Sequence, residues 1–361
     1  MPTYQGQEIC GVNYIGESEM KTNHYSLYDA LSIKYTDHRN CVYNSIDLFA
    51  KDYSNFLTDE QQNPDLIINI SKFDDNARIS LENDKYGVNK NYFLGSKRYK
   101  CAYFSYDLLI EGISMRVNIN PNIFASRVMH QLLLDYIVNI LLFHRGYSNL
   151  HSSAVAKGDS AILFTGPGGS GKSSFAFYCL KWGYQLIGDD RVFVKDGFAY
   201  PFLECPGLDY NTKGYIEPYI SNKAKLIIYL NKLIKVISNN YVGMLFSLKS
   251  KDVFLDGVTA QKAAKIKKII FLQPSHIFEV SSIDRDDLLL KFQVNQTYED
   301  KPLFREIFNY STVYPENIFL SYVNNYLNSL SNNLPQEFEA YLVRYPKNEY
   351  QKVNTWLGEI L

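Results

Sequence analysis

The segment Gly166-Pro167-Gly168-Gly169-Ser170-Gly171-Lys172-Ser173 constrains this chain more than any other, because it fits G-x-x-x-x-G-K-[ST] at every fixed position. The run Ser160 to Thr165 enters it and reads as a buried strand, and Ser174 to Trp182 leaves it and reads as a helix. Strand, tight turn and helix in that order point to an α/β layer. The residue types also carry a chemistry. Phosphate oxygens need several converging backbone N–H donors, so few Cβ atoms can stand in the turn, and four of its positions are glycine. Lys172 is spaced to reach the β and γ phosphates and Ser173 to ligate Mg²⁺, so Gly166 to Ser174 reads as the cradle of a nucleoside triphosphate.

Downstream, Gly183 suits a left-handed helix cap, and Tyr184 to Ile187 reads as a strand closed by Gly188-Asp189-Asp190-Arg191. A right-handed crossover would lay that strand parallel to the one entering the loop and bring both aspartates to the phosphate edge. One could hold Mg²⁺ and the other accept a proton from an attacking hydroxyl. Neighbouring residues on a strand face opposite sides, so the spacing leads one to expect a single carboxylate in the site. A plain solvated turn before the hairpin Val192 to Gly197 is the alternative. His151 opens a further strand-like run to Ala156, and the turn Lys157-Gly158-Asp159 would carry it back antiparallel beside the loop's entering strand. His151 would then reach the same edge, in a functional or a purely structural role.

Around this centre, residues 1 to about 120 read as a mostly antiparallel β-rich region, with runs at Leu66–Ile70, Tyr99–Phe104 and Ile113–Ile119 and one helix candidate at Tyr43–Phe56. A long helix is expected from about Asn122 to Phe143, then alternating strands and helices from His151. Lys267 to Leu272 reads as a core strand. The tail reads as a helix from Pro315 to about Ser331, a strand at Ala340–Tyr345 and a last helix from Asn348. The expected division is a β-rich part over 1–120, suited to substrate recognition, and a catalytic part over 121–361. Between Asn211 and Ala264, Lys223, Lys225, Lys232 and Lys235 interleave with Ile and Leu, as a solvated helix face or a substrate-facing element would.

With 37 Lys and Arg against 38 Asp and Glu, the net charge of −1 provides no global basic field for nucleic acid or an anionic membrane. Any anion must be gripped locally. Five scattered cysteines without C-x-x-C spacing argue against a disulfide framework or zinc knuckle and fit a reducing cytoplasm. The N-terminal residues do not read as a signal peptide, and the apolar run Leu132–Phe143, broken by Asp135 and Asn139, is too short to cross a bilayer. Aromatic residues reach 15%, which suits either stacking surfaces or a compositional habit.

The order His151-Ser152-Ser153-Ala154, strand, loop Gly166 to Ser173, helix ending Lys181-Trp182-Gly183, and Leu186-Ile187-Gly188-Asp189-Asp190-Arg191-Val192 resembles the core of the HPr kinase/phosphorylase family. In detail it is closer to the HPr-kinase-like proteins of bacterial gene clusters. The likeness is densest over about 148–200 and extends to the preceding helix and the C-terminal segment. It implies an α/β (overall α+β) fold with a phosphoenolpyruvate-carboxykinase-like nucleotide-binding core. It further implies ATP and Mg²⁺, with Lys172 on the phosphates, Ser173 on the metal, Asp190 as base, Asp189 as metal or supporting ligand, and His151 tuning the acid. Homo-oligomers are implied as well. The family's later acidic and glycine-bearing stretch is not reproduced over Tyr200–Asp209, where Glu204 and Asp209 are the candidates for its metal ligand. HPr itself is therefore not implied as the substrate. The expected activity is transfer of the γ-phosphate to a hydroxyl, of a Ser or Thr in a protein or peptide, including a precursor peptide, or of a small alcohol. A nucleotide-dependent switch with slow hydrolysis is the other class.

Overall fold

The computed structural model describes residues 21–39, 48–71, 87–89, 92–125, 128–204, 216–239, 246, 248–299 and 308–361. They form two mixed sheets with helices packed on them. The first holds β1 (Lys21–Leu27), β2 (Leu31–Asp37), β3 (Leu57–Thr58), β4 (Leu66–Ile70), β5 (Gly87–Asn89), β6 (Tyr92–Tyr99), β7 (Ala102–Glu111) and β8 (Ser114–Pro121), in the order β3-β1-β2-β4-β8-β7-β6-β5. The sheet is mostly antiparallel, as expected, except that β4 runs parallel to both β2 and β8. The run Tyr99–Phe104, read as one strand, instead contains the β6–β7 turn, where Lys100 takes a φ of +53°. Of the helix expected at Tyr43–Phe56, residues 43–47 lie outside the described residues, and the rest forms two short helical turns.

Next come β9 (Ser148–Leu150), β10 (Ser152–Lys157), β11 (Ser160–Thr165), β12 (Gln185–Asp189), β13 (Val192–Lys195), β14 (Phe198–Tyr200), β15 (Phe202–Leu203), β16 (Ala264–Pro274), β17 (Glu279–Ser282) and β18 (Glu339–Tyr345). This second sheet runs β15-β12-β10-β11-β16-β14-β13-β9, with β18 parallel on the far half of β16 and β17 antiparallel beyond it. The helices are α1 (Asp135–Phe143), α2 (Lys172–Cys179), α3 (Asn222–Ile237), α4 (Arg285–Glu299), α5 (Ile318–Asn333) and α6 (Tyr350–Ile360). The helix expected from Asn122 begins later: Asn122 closes a turn by accepting the Ala125 N–H, and a π-helical turn at His130–Leu134 leads into α1. Asn317 caps α5, its Oδ1 accepting from the N–H groups of Phe319 and Leu320. Among the described residues no helix is long and apolar enough to cross a membrane.

Burial explains the layering. The central strands β10 and β11 are buried on both faces, and the Ala161–Phe164 stretch of β11 reads as the continuous apolar run of a strand covered on both sides. Ala161 and Leu163 face the core shared with the first sheet, α1 and α5, while Ile162 and Phe164 face α2, α3 and α6. The abundant aromatics now have a place. Phe49 stacks on Tyr35 and Tyr53, Tyr53 meets Phe202 edge-on, Phe202 packs on Phe56 and Phe193, and Tyr28 stacks on Tyr147. These rings form a seam between the two sheets. Each such pair adds about 0.5–1.5 kcal/mol beyond its buried area, so the seam binds the β-rich part to the rest of the chain.

Candidate functional site

The glycine-rich loop lies where β11 ends, and its shape depends on missing side chains. Gly166 has a φ of +142°, and a Cβ there would stand 2.2 Å from the Leu272 carbonyl oxygen. Gly171 has a φ of +85°, and a Cβ would meet the Tyr345 hydroxyl at 2.8 Å. The same hydroxyl donates to the Ser170 carbonyl at 2.5 Å, so the end of β18 props the loop from beneath. Gly171 precedes α2, whose first two residues are Lys172 and Ser173. Gly168 has open space before it, and a Cβ at Gly169 would lie 3.9 Å from Lys347 Nζ. At the cradle, the buried hydroxyls of Thr165 and Ser170 meet no hydrogen-bonding partner among the described residues. Pro167 and Ser174 complete the segment, with the Pro167 carbonyl accepting the Ser170 N–H at 3.1 Å.

The strand order brings the other candidates to this loop. Both β11 and β12 are antiparallel to β10 and therefore parallel to each other, with β10 between them. Their C-terminal ends and the N-terminal approach to β10 share one edge. There His151 Nε2 lies 2.9 Å from Lys172 Nζ, and His151 Nδ1 lies 3.1 Å from the Asp190 carbonyl and 3.3 Å from its carboxylate. Because Nε2 accepts from the ammonium, the proton belongs on Nδ1, which donates to Asp190. Burial holds the imidazole below its ordinary pKa, Asp190 opposes this and Lys172 adds to it, so His151 is neutral at pH 7. Burial also lowers Lys172, which donates to the Gly166 and Pro167 carbonyls at 2.9 and 3.3 Å.

The paired aspartates do not alternate as strand residues would. Asp189 ends β12 and is buried, accepting the Ser153 hydroxyl at 2.5 Å and bonding to the Ser173 hydroxyl. Burial raises its pKa and the two serine hydroxyls oppose the rise. Asp190 leaves the strand with a φ of +70°, which breaks the alternation and keeps both carboxylates at one edge. Its side chain is 70% exposed. The pair is thus divided into a sunken acid against Ser173 and an open one against His151.

Ser173 and Asp189 form a two-ligand set, and among the described residues no three His, Cys, Asp or Glu side chains converge as a free-standing metal site would need. That set suits Mg²⁺ arriving with a nucleotide, since Mg²⁺ is typically held by one or two carboxylates plus phosphates and water. Glu204 is not part of it: its Oε1 lies 2.9 Å from the Arg191 guanidinium, which also pairs with Asp135 Oδ2 at 2.9 Å and reaches Asn139 at 3.4 Å. Burial drives Glu204 well upward despite Arg191, while Asp135 and Glu204 hold Arg191 charged against its own burial. Asp209 lies outside the described residues. Helix α3 exposes Lys223, Lys232 and Lys235 and half-buries Lys225, but Leu226, Leu233, Val236 and Ile237 are exposed among them, so the lysines do not gather on one solvated face.

Sequence reasoning missed Asp135, Asn139 and Glu299 as neighbours of the site. Asp135 and Asn139 stand four apart in an otherwise apolar helix, hence on one face, and that interruption was the available signal. Glu299, whose Oε1 lies 3.4 Å from His151 Nε2, had none. No family model and no curated protein matches this chain.

Proposed function

We propose that the chain is an ATP- and Mg²⁺-dependent phosphotransferase of the HPr-kinase-like kind, with a phosphoenolpyruvate-carboxykinase-like nucleotide-binding core, moving a γ-phosphate to an alcohol group. The observation that carries this reading is the convergence of Lys172, the Ser173–Asp189 pair and the His151–Asp190 pair at the mouth of a loop in which a side chain at Gly166 or Gly171 would collide with its neighbours. In this reading the loop N–H groups and the α2 N-terminus hold the phosphates, and Lys172 leaves the Gly166 carbonyl to reach the β and γ oxygens. Ser173 and Asp189 would hold Mg²⁺, which supplies charge neutralisation at those oxygens. Asp190, exposed and oriented by His151 Nδ1–H, accepts the proton of the attacking hydroxyl. His151 Nε2, once Lys172 has moved, is free to accept a hydrogen bond from the acceptor.

Hydroxyls of Ser or Thr in a protein or peptide, or of a small alcohol, meet these requirements. Titration of the protein with MgATP, MgADP and MgGTP by calorimetry tests the nucleotide half, and transfer of labelled γ-phosphate tests the chemistry. Lys172→Ala is expected to reduce transfer by about 10³-fold or more, in keeping with the loss of a principal phosphate contact. Undiminished transfer by that variant would refute the mechanism. Tight nucleotide binding with slow phosphate release, and no transfer to any acceptor, would instead mark a switch.

A further inference from the structure

Beyond His151, on the side away from the glycine loop, lies a half-open cavity of about 210 Å³ whose described walls come from α1, the end of α4, β9 and the segment after β12. Its lining is lopsided in chemistry. Among the described residues, Asp135, Glu204, Glu299 and Asp190 supply four carboxyl groups against one guanidinium, Arg191, already engaged by two of them. Even with a proton on Glu204, three carboxylates face one guanidinium and a neutral imidazole. Independently, Asn149 lines the same cavity, is only 6% exposed, and its Oδ1 meets no donor among the described residues. A buried amide oxygen without a donor costs about 1–3 kcal/mol, a cost a ligand that brings a donor would remove.

We infer that this chamber receives a cationic nitrogen, an ammonium or guanidinium, carried by the phosphate acceptor within a few bonds of its hydroxyl. The reading rests on the phosphotransferase proposal for the neighbouring loop. An ammonium or guanidinium is all donor and positive, which is what an amide oxygen and surplus carboxylates can satisfy together. Asp190 stands at the junction between chamber and loop, so a cation seated inside directs the hydroxyl to the proton acceptor. In the transfer, the hydroxyl oxygen forms a bond to the γ phosphorus, the bond from that phosphorus to the β–γ bridging oxygen breaks to release ADP, and the hydroxyl proton passes to Asp190. Two sources present this chemistry: a free amino alcohol or amino sugar, and a serine beside lysine or arginine in a peptide.

Matched pairs separate these outcomes: serinol against glycerol, glucosamine against glucose, and a serine peptide flanked by arginine against the same peptide flanked by alanine. Each is titrated by calorimetry into the MgADP-bound full chain and assayed for γ-phosphate transfer from MgATP. At least one cationic member is expected to bind ten-fold or more tighter than its neutral mate, with the preference reduced five-fold or more by Glu299→Gln. Which pair responds identifies the source. Asn149→Leu should also lose the preference while melting no lower than the parent, whereas an asparagine kept for folding would lower the melting temperature. Cation binding without transfer leaves the chamber standing and removes the phosphotransferase reading. Equal binding and transfer of neutral and cationic members overturns the chamber and leaves the phosphotransferase. Absence of binding by every cationic member also overturns it.

Discussion

The two sides of His151 are built by opposite means. Toward Lys172 lies a surface of backbone N–H groups, one ammonium and glycines, all from one short stretch between β11 and α2. Toward Arg191 lies a surface of carboxylates and amides, contributed by α1, α4, β9 and the segment between β12 and β15. A donor surface for phosphate can be assembled locally, because every residue brings its own N–H. An acceptor-rich wall needs side chains, and those must be collected from remote elements and neutralised in part by one buried arginine. In the reading proposed above, the first side holds the nucleotide, while the second contributes both to the stability of the fold and to the acceptor's cation, and that division can be broken experimentally.

The largest effect is expected on the acid side. Arg191→Met leaves Asp135 and Glu204 buried without their cation and should cost about 3–5 kcal/mol, read from urea denaturation. If the fold survives, MgADP affinity should change little, since Arg191 does not touch the loop. Gly166→Ala reverses the pattern. Its Cβ collides with the Leu272 carbonyl, so MgADP affinity should fall about a hundred-fold by calorimetry while the Arg191 network is untouched. Asp189→Asn sits on the border. Because its folded pKa is raised, Asp189 favours the native state below the ordinary carboxylate range, near 3.8, and that contribution is lost as pH rises through the folded value. The amide should therefore stabilise the fold at pH 7, with the gain vanishing in acid, and should abolish transfer. A melting series from pH 3 to pH 7 checks the sign. The smallest effect is Tyr345→Phe, which removes one hydrogen bond under the loop and should cost about 1 kcal/mol.

What could be read from the sequence follows the same division. The loop, the β10–β11 hairpin and the arrival of His151 at the loop depend on neighbours in the chain, and each is placed as its local pattern implied. Lys157-Gly158-Asp159 makes the turn that the hairpin required. The left-handed Asp190 was hidden because the rule of alternation holds only while the chain stays in the strand. The parallel placement of β4 was hidden because its alternating pattern suits either direction of pairing. Asp135, Arg191, Glu204 and Glu299 were not legible as a group. Nothing in spacing reports that α1, the end of β12 and the end of α4 meet, and a buried carboxylate looks like a surface one until its neighbours are known.

The antiparallel insertion of β10 has a practical consequence. The six residues of this strand span about 20 Å at the ~3.3 Å rise of a strand. His151 precedes one end, and the turn at Gly158, where nothing lies within 4 Å of a Cβ, closes the other. A reporter or affinity tag spliced into that turn would hang from the very hairpin that carries His151, yet on the opposite rim of the sheet, so the protein offers a handle for surface immobilisation away from the glycine loop.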